Sequence, residues 1–146
     1  MVLIIDDETD MQDILLELLY DEGIEAHASG PQEAITTLHA LLPDVVLLDL
    51  SMPGLDGYAV LDHMRADPRL CRAYVVMVTG HGDLEDLETT LDHGADDYVR
   101  KPFAADEMIA RVRMGLKASG SCSPRYPAGP APNGGYDPDQ GRVRVW

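Results

Sequence analysis

Three carboxylates, a hydroxyl and an ammonium group each follow a short apolar segment of the chain. These groups belong to Asp6, Asp7, Asp49, Thr79 and Lys101. Carboxylates held close together repel one another, and a hard divalent cation with oxygen ligands relieves that repulsion. Mg²⁺ typically takes one or two carboxylates and keeps waters and phosphate oxygens. A carboxylate beside such an ion can form an acyl phosphate, while a lysine neutralises charge on the transferred phosphoryl group.

Each of these residues also has an ordinary explanation. An acidic pair before a helix can serve as N-cap and compensate the helix dipole, and an aspartate after a strand is a common turn residue. Thr79 with Gly80 could simply start a loop, and a lysine before a proline is usually solvated. Capping and turns do not explain why four separate segments end in these side-chain types. We therefore favour a single combined site.

Hydrophobic periodicity predicts the elements that must position these residues. Strands are predicted at residues 2–5, 24–28, 44–48, 74–78 and 97–99. Helices are predicted at residues 11–19 (ending at Gly23), 31–42, 58–65, 83–93 and 105–117. This alternation predicts an α/β fold with a parallel sheet covered on both faces. In such a sheet, ligands bind outside the carboxyl ends of the strands, where the polar residues lie.

The charge of the chain limits its direct partners. Asp and Glu number 26 against 11 Lys and Arg, giving a formal net charge of −15. Residues 119–146 carry three arginines against two aspartates, so the negative charge belongs to the remainder. An acidic, soluble surface explains most of it, and such a surface repels nucleic acid and anionic membranes.

The lack of a recognisable targeting signal and the use of cysteine predict a cytoplasmic protein. No apolar run approaches the roughly 18 residues of a membrane span, and the first residues lack a secretory pattern. The two cysteines, Cys71 and Cys122, are interpreted as free thiols. The five histidines show no metal-binding cluster in the sequence.

Residues 119–146 have the composition of a linker, because they are rich in proline and glycine and poor in apolar residues. We therefore expect a folded domain at residues 1–118 and a tail at 119–146. Residues 141–146 alternate like a strand, with no identifiable partner.

Four segments together resemble the receiver domain of response regulators in two-component signal transduction. They are residues 4–8 (IIDDE), 47–57 (LLDLSMPGLDG), 78–80 (VTG) and 94–103 (GADDYVRKPF). The match covers about residues 1–117, in order and with the family's spacing. It implies a flavodoxin-like, doubly wound (βα)5 fold with a five-stranded parallel sheet of strand order 2-1-3-4-5. It also implies a switch controlled by phosphorylation.

The resemblance implies a role for each acidic residue. Asp49 resembles the phosphoacceptor. Asp7 resembles a direct Mg²⁺ ligand, and Asp6 resembles the residue that holds a metal-bound water. The backbone carbonyl of Ser51 matches the third protein ligand of the ion. Mn²⁺ is the expected substitute for Mg²⁺.

The resemblance also implies how the signal leaves the site. Thr79 resembles the switch hydroxyl that turns toward the phosphoryl group, Lys101 resembles the cation that binds this group, and Pro102 resembles the family's cis-proline. Tyr98 resembles the switch aromatic, although aromatic residues favour strands for other reasons. Phosphorylation then biases the face made by the fourth helix, the fifth strand and the fifth helix, which in the family binds a partner or a second receiver.

Two further positions, Ser51 and His81, resemble those that tune self-dephosphorylation. His81 could act on the hydrolytic water, obstruct it, or be a solvated loop histidine. None of the histidines lies in the context of a phosphotransfer helix, so the chain resembles the acceptor. The implied donor is a histidine kinase or a phosphotransfer protein. The expected protein is a phosphoacceptor switch, whose only catalysis is its own phosphorylation and dephosphorylation.

Two features bear on the partner and the output. Residues 84–88 are acidic where winged-helix response regulators usually place a lysine for dimerisation, although Glu107 and Arg111 fit the fifth-helix pattern. This departure puts the family's usual homodimer in doubt, and a homodimer through the face of the fourth helix, fifth strand and fifth helix stays one of the open alternatives. Residues 136–146 are weakly similar to the first hairpin of a winged-helix output domain, and a disordered tail is the alternative.

Two other classes of protein share parts of this pattern. A receiver-like interaction module that never takes phosphate typically lacks at least one of the polar residues that this chain keeps. A hydrolase with an aspartyl intermediate keeps a second acid two residues beyond its nucleophile, and Ser51 occupies that place. The phosphoryl switch therefore fits better than either alternative.

Overall fold

The computed structural model describes residues 1–52, 54–80, 93–118, 136–137 and 142–143. The strands are β1 Val2–Ile5, β2 Ala26–Ser29, β3 Val45–Asp49, β4 Ser51–Met52, β5 Leu55–Asp56, β6 Tyr74–Thr79, β7 Asp97–Arg100, β8 Tyr136–Asp137 and β9 Arg142–Val143. The described helices are α1 Thr9–Asp21, α2 Ala34–Leu41, α3 Gly57–Ala66 and α4 Ala105–Ala118.

Five strands form one parallel sheet in the order β2-β1-β3-β6-β7. Strands β4 and β5 pair only with each other, in a small antiparallel hairpin. Counting only the strands of the large sheet, the order is therefore 2-1-3-4-5. This arrangement confirms the predicted fold class and the strand order that the family resemblance implied.

Alternate residues of each strand face opposite sides of the sheet, and both sides are buried. In β3, Val46 and Leu48 belong to a cluster with residues of α2 and α3. Val45 and Leu47 belong to a second cluster with residues of α1 and α4. Two covered faces require apolar side chains at consecutive positions, which explains why these strands are apolar without alternation.

The described strands and helices lie close to their predicted positions, with a few differences. Helix α1 ends at Asp21, and Gly23, the predicted stop, follows its C-cap with a φ of +73°. The N–H of Ile24 donates to the carbonyl of Leu19 at 2.9 Å. Helix α2 begins at Ala34 instead of residue 31, because residues 31–33 form turns before it. The hairpin of β4 and β5 was predicted only as a loop.

The predicted helix at residues 83–93 lies outside the described residues except for His93, which is in a turn. In the tail, β8 pairs antiparallel with β9, so the predicted strand finds its partner in residues 136–137, within the segment that resembles a hairpin. Among the described residues, no helix has both the length and the apolar character needed to cross a bilayer.

The expectation of a free thiol was wrong for Cys71, and two histidines lie closer together than the sequence indicated. Cys71 is disulfide-bonded and is not a free thiol, and Cys122 lies outside the described residues. Two histidines that are distant in sequence, His39 and His63, come together with an aspartate in a group that could hold a metal ion. The sequence did not reveal this group because its members lie on two different helices.

Candidate acidic site at the carboxyl edge of the sheet

The parallel register brings the predicted polar residues to one edge of the sheet. Asp6 directly follows β1, and Asp49 is the last residue of β3. Thr79 is the last residue of β6, and Lys101 directly follows β7. Since neighbouring strands run in the same direction, their carboxyl ends lie together. The predicted convergence of Asp6, Asp49 and Lys101 is confirmed by the distances between their side chains.

Lys101 lies between two buried carboxylates. Its Nζ is 3.3 Å from Asp6 Oδ2 and 3.7 Å from Asp49 Oδ2. Both aspartate side chains are 3% exposed, whereas the lysine side chain is 17% exposed. The Lys101 N–H also donates to the Thr79 carbonyl at 2.6 Å, which fixes the start of the lysine loop. Because a buried carboxylate is costly without a cation, the single ammonium group stabilises both.

Backbone and side-chain donors orient Asp6. Its Oδ1 accepts from the Glu8 N–H at 2.9 Å, and its Oδ2 faces Lys101. The Gln12 side-chain amide donates to the Asp6 carbonyl at 2.7 Å and to the Ser29 carbonyl at 3.3 Å. These contacts hold the end of β1 against β2 and the first turn of α1. The Asp6 carboxylate is therefore fixed before any ligand binds.

The carboxylates at the end of β1 form a donor set suited to a hard cation. Oxygens of Asp6, Asp7 and Glu8 all lie within 4.8 Å of one another. Asp49 lies near the same region, because Asp49 and Asp6 both contact Lys101. An all-oxygen set with more carboxylates than cations fits Mg²⁺.

The segment after Asp49 is bonded to the end of β6 and then enters a short hairpin. The Leu50 N–H donates to the Val78 carbonyl at 3.1 Å, which joins the end of β3 to β6. The backbone of Ser51 then enters the hairpin of β4 and β5, whose turn contains Gly54 at a φ of +77°. The Ser51 backbone thus lies two residues beyond Asp49, and its side chain lies outside the described residues.

The start of α3 packs directly against the backbone of Asp49. Asp56 caps this helix, because its Oδ1 accepts from the Tyr58 N–H at 2.9 Å. A Cβ atom on Gly57 would lie 2.9 Å from the Asp49 carbonyl oxygen and 3.1 Å from Leu50 Cα. Only glycine therefore permits this approach of the helix to the end of β3.

The two predicted switch residues lie on neighbouring strands. Thr79 is fully buried at the end of β6. Tyr98 pairs with Met77 across β6 and β7 and packs against the core cluster beneath α2 and α3. Its hydroxyl oxygen is buried and has no hydrogen-bond partner among the residues that the structure describes. Of the predicted tuning residues, His81 lies outside the described residues.

Helix α4 is tied to β7 by an ion pair. Arg111 Nη1 lies 2.8 Å and 2.9 Å from the two carboxylate oxygens of Asp97, and Arg111 also lies 3.9 Å from Glu107. The hydrogen bond to Asp97 raises the pKa of the Arg111 guanidinium above its ordinary value. The charges of Arg111 and Asp97 are therefore paired with each other within one chain.

Sequence reasoning missed the supporting roles of Gln12 and Gly57. Gln12 lies beside the apolar stripe of α1, and a polar residue there is a weak signal for a contact with the sheet edge. Gly57 was quoted within a motif without a role, because its need for close backbone approach appears only in three dimensions. Pro102 follows a cis peptide bond from Lys101, as the family resemblance implied.

Comparisons with known proteins identify the family of this fold. The family described as "Response regulator receiver domain" matches residues 2–113. The chain is 44% identical over 117 residues to the probable transcriptional regulator ycf27 of Guillardia theta, covering 80% of this chain and 45% of that protein. It is 39% identical over 117 residues to the DNA-binding response regulator MtrA of Mycolicibacterium smegmatis, covering 80% of this chain and 50% of MtrA.

Solved structures give the same result. The receiver domain of NtrX from Brucella abortus superposes with a TM-score of 0.74 at 34% identity, covering 82% of this chain and all of that chain. A putative response regulator from Chloroflexus aurantiacus superposes with a TM-score of 0.75 at 31% identity, covering 80% of this chain and 96% of that one.

The chain belongs to the response-regulator receiver family. Members of this family are phosphoacceptor switches of two-component systems, and phosphorylation-dependent switching is their general function. The chain spans about half the length of the curated relatives it matches.

Proposed function

We propose that Asp49 of this chain accepts a phosphoryl group in a Mg²⁺-dependent reaction. The observation that carries the proposal is the contact of one lysine with two buried carboxylates, Asp6 and Asp49, at the carboxyl edge of the sheet. An oxygen of Asp49 attacks phosphorus, a P–O bond forms, and the P–N bond to a donor histidine breaks. The donor is a histidine kinase or a phosphotransfer protein.

The chain's own residues would hold the ion and the transferred group. Asp7, Asp49 and the backbone carbonyl of Ser51 would bind Mg²⁺ or Mn²⁺, and Asp6 would hold a metal-bound water. When bound, the ion neutralises charge on the transferring phosphoryl group. Lys101 already lies beside Asp49 and would follow the negative charge to the new phosphoryl oxygens. Ser51 and His81 would set the lifetime of the acyl phosphate.

Thr79 and Tyr98 would carry the change to the surface. The Thr79 hydroxyl would donate to a phosphoryl oxygen, and Tyr98 would change position with it. The buried Tyr98 hydroxyl supports this proposal. It has no hydrogen-bond partner in the part of the chain that the structure describes, which is costly, and a second position would satisfy it. The affected surface is the face of the predicted helix at 83–93, β7 and α4, which would bind a partner or a second copy.

The chain would act in the cytoplasm, where two-component phosphotransfer takes place. Two matched relatives are a transcriptional regulator and a DNA-binding response regulator by name. We infer that residues 1–118 are the receiver domain and that the tail at 119–146 leads toward an output domain. Any contact with DNA would belong to that output, since the receiver is acidic.

The test is the intact mass of the full chain after incubation with acetyl phosphate or phosphoramidate, with and without Mg²⁺. We expect one added phosphoryl group that requires Mg²⁺ and is absent from Asp49→Asn. Asp44→Asn is the matched control, because Asp44 precedes β3 at the opposite edge of the sheet, and it should still be phosphorylated. The absence of any adduct from the wild type would favour the phosphate-independent interaction module instead.

A further inference from the structure

A second group of metal-binding side chains lies on helices α2 and α3. His39 Nε2 is 2.9 Å from His63 Nε2 and 3.6 Å from Asp67 Oδ2. The ligand atoms of all three residues lie within 4.8 Å of one another. The two imidazole rings are nearly perpendicular, with an interplanar angle of 83°. The Nε2 atoms of the two histidines and the Asp67 carboxylate therefore lie around one small region between the helices.

This group lies at the opposite end of the sheet from Asp49. His39 is in the last turn of α2, and Asp67 is the C-cap of α3. Helices that connect parallel strands run back along the sheet, so their carboxyl ends lie at the amino edge of the strands. The group is thus separate from the acidic site, and receiver function does not explain it.

The distances approach those of a tetrahedral metal site. Zinc binds imidazole nitrogen and carboxylate oxygen at about 2.0–2.2 Å, so neighbouring ligand atoms in a tetrahedron lie about 3.3 Å apart. The two observed separations, 2.9 Å and 3.6 Å, bracket that value. Small rotations of these partly exposed side chains would equalise them. Magnesium and calcium fit less well, because they prefer oxygen ligands alone.

The ionisation of Asp67 suits a ligand. Burial raises the pKa of the Asp67 carboxyl, but hydrogen bonds from Arg69 outweigh that effect and hold the pKa below its ordinary value. The carboxylate is therefore available at neutral pH. The side chains of His39 and Asp67 are 24% and 16% exposed, so an ion can reach them from solvent.

We propose that His39, His63 and Asp67 form a binding site for a divalent transition-metal ion, with Zn²⁺ as the best match. Two imidazoles and one carboxylate would supply three ligands, and a water molecule would complete the tetrahedron. The bound ion would link α2 to α3 on the face of the sheet that they share.

Arg69 opposes this site in the metal-free state. Its Nη2 lies 2.9 Å from His39 Nδ1 and must donate to it, so the ring proton of neutral His39 is on Nε2. Coordination through Nε2 moves that proton to Nδ1, where it would meet the guanidinium donor. The Arg69 side chain is 61% exposed and can turn into solvent. Removing this arginine should therefore strengthen binding.

The test is calorimetric titration of the full chain with Zn²⁺ in excess Mg²⁺, which competes for the acidic site. We expect one Zn²⁺ per chain, with affinity reduced about tenfold or more in His39→Asn, His63→Asn and Asp67→Asn. His27→Asn is the control, because His27 is an exposed histidine of β2 paired only loosely, at 3.8 Å, with Glu25. Its affinity should equal that of the wild type. Arg69→Met should bind about two- to fivefold more tightly.

A spectroscopic measurement separates this site from binding elsewhere. Co²⁺ in place of Zn²⁺ should give the strong visible absorption of a tetrahedral complex in the wild type and in His27→Asn. That absorption should disappear in His63→Asn. The proposal would be overturned if His63→Asn bound Zn²⁺ as tightly as the wild type, or if the wild type did not bind Zn²⁺. It would also be overturned if His81→Asn lost binding while His39→Asn and His63→Asn kept it.

Discussion

Lys101 and Asp6 form an ion pair across the sheet, with 3.3 Å between Nζ and Oδ2, although two strands lie between the strands that they follow. The lysine reaches over the ends of β3 and β6 to do so. The distance to Asp6 is shorter than the 3.7 Å to Asp49. One ammonium group therefore compensates two buried carboxylates, and it occupies the region where the proposed metal ion and phosphoryl group would enter.

Replacing Lys101 by methionine should make the protein's stability depend more strongly on Mg²⁺. The variant keeps two buried carboxylates without their cation, which should lower the free energy of unfolding by about 1–3 kcal/mol in the absence of metal. Mg²⁺ can replace the missing positive charge, so adding it should raise the melting temperature of Lys101→Met more than that of the wild type. Thermal unfolding at increasing Mg²⁺ measures this difference.

Lys117→Met is the matched control, since Lys117 is an exposed lysine in the last turn of α4. Its response to Mg²⁺ should equal that of the wild type. An equal gain in melting temperature for Lys101→Met and the wild type would contradict the proposed competition between the ammonium group and the ion.

Replacing Arg65 by methionine should cause a large loss of stability. The buried Arg65 guanidinium donates to the carbonyls of Gly94 and Ala73 at 2.8 Å and to that of Cys71 at 3.1 Å. It also lies 2.7 Å from Asp96 Oδ2. The variant leaves a buried carboxylate without its cation, which costs about 3–5 kcal/mol. Urea-induced unfolding followed by circular dichroism gives the value.

An exposed arginine provides the comparison for Arg65. Arg113 pairs with Glu22 at 2.7 Å, but its side chain is 52% exposed. Arg113→Met should cost less than about 1 kcal/mol, because water screens this pair. Similar losses in the two variants would show that burial does not determine the contribution of Arg65.

Replacing Gly57 by alanine should both destabilise the fold and slow phosphorylation. The added methyl group would press on the Asp49 carbonyl oxygen and on Leu50 Cα, which are backbone atoms that cannot rotate away. Overpacking of this kind costs about 1–3 kcal/mol, which exceeds the helix-propensity gain of about 1 kcal/mol for alanine. Unfolding experiments and the rate of mass increase with phosphoramidate measure the two effects.

Gly80→Ala is the control for Gly57, since a Cβ atom at Gly80 would meet nothing within 4 Å. Its stability should stay close to that of the wild type. If Gly57→Ala were as stable as Gly80→Ala, the close contact between α3 and the end of β3 would be wrong.

The lowered pKa of Asp67 predicts a pH-dependent contribution to stability. Burial raises this pKa, but the hydrogen bonds and charge of Arg69 lower it by more, so the folded-state value is below the ordinary 3.8. A carboxyl group with a depressed pKa stabilises the fold above its unfolded-state pKa, and this contribution is lost as the pH falls through the folded-state value. Asp67→Asn should thus be less stable than the wild type at pH near 6, by up to about 1 kcal/mol.

The same difference should shrink as the pH is lowered below 3.8, and urea unfolding at several pH values measures it. Asp21→Asn, which changes an exposed carboxylate at the end of α1, should show a smaller change over that range. A stability difference for Asp67→Asn that grows on acidification would have the wrong sign.

Most of the fold could be predicted from the sequence because both faces of the sheet are buried. Residues 44–48 and 74–78 are apolar without interruption, and the structure places a buried strand at each. Short polar residues at strand ends then had to meet at one edge. The start of α2 was less predictable, since Pro31 lies in a turn before the helix and not within its first turn.

The remaining features depend on contacts between elements distant in sequence. The ion pair of Lys101 with Asp6 and the group of His39 and His63 each join segments that no local pattern connects. The role of Gly57 likewise depends on a backbone approach of 2.9 Å. Such contacts follow from the packing of helices on the sheet, which periodicity does not specify in detail.

The central claim, that Asp49 carries the phosphoryl group, is tested most directly by reductive mapping of the modified residue. Borohydride reduces an aspartyl phosphate to homoserine, and peptide mass spectrometry then locates it. After treatment with phosphoramidate and Mg²⁺, we predict homoserine at position 49 in the wild type. Homoserine at position 6, 7 or 56, or none in a chain that has gained a phosphoryl group, would contradict the assignment.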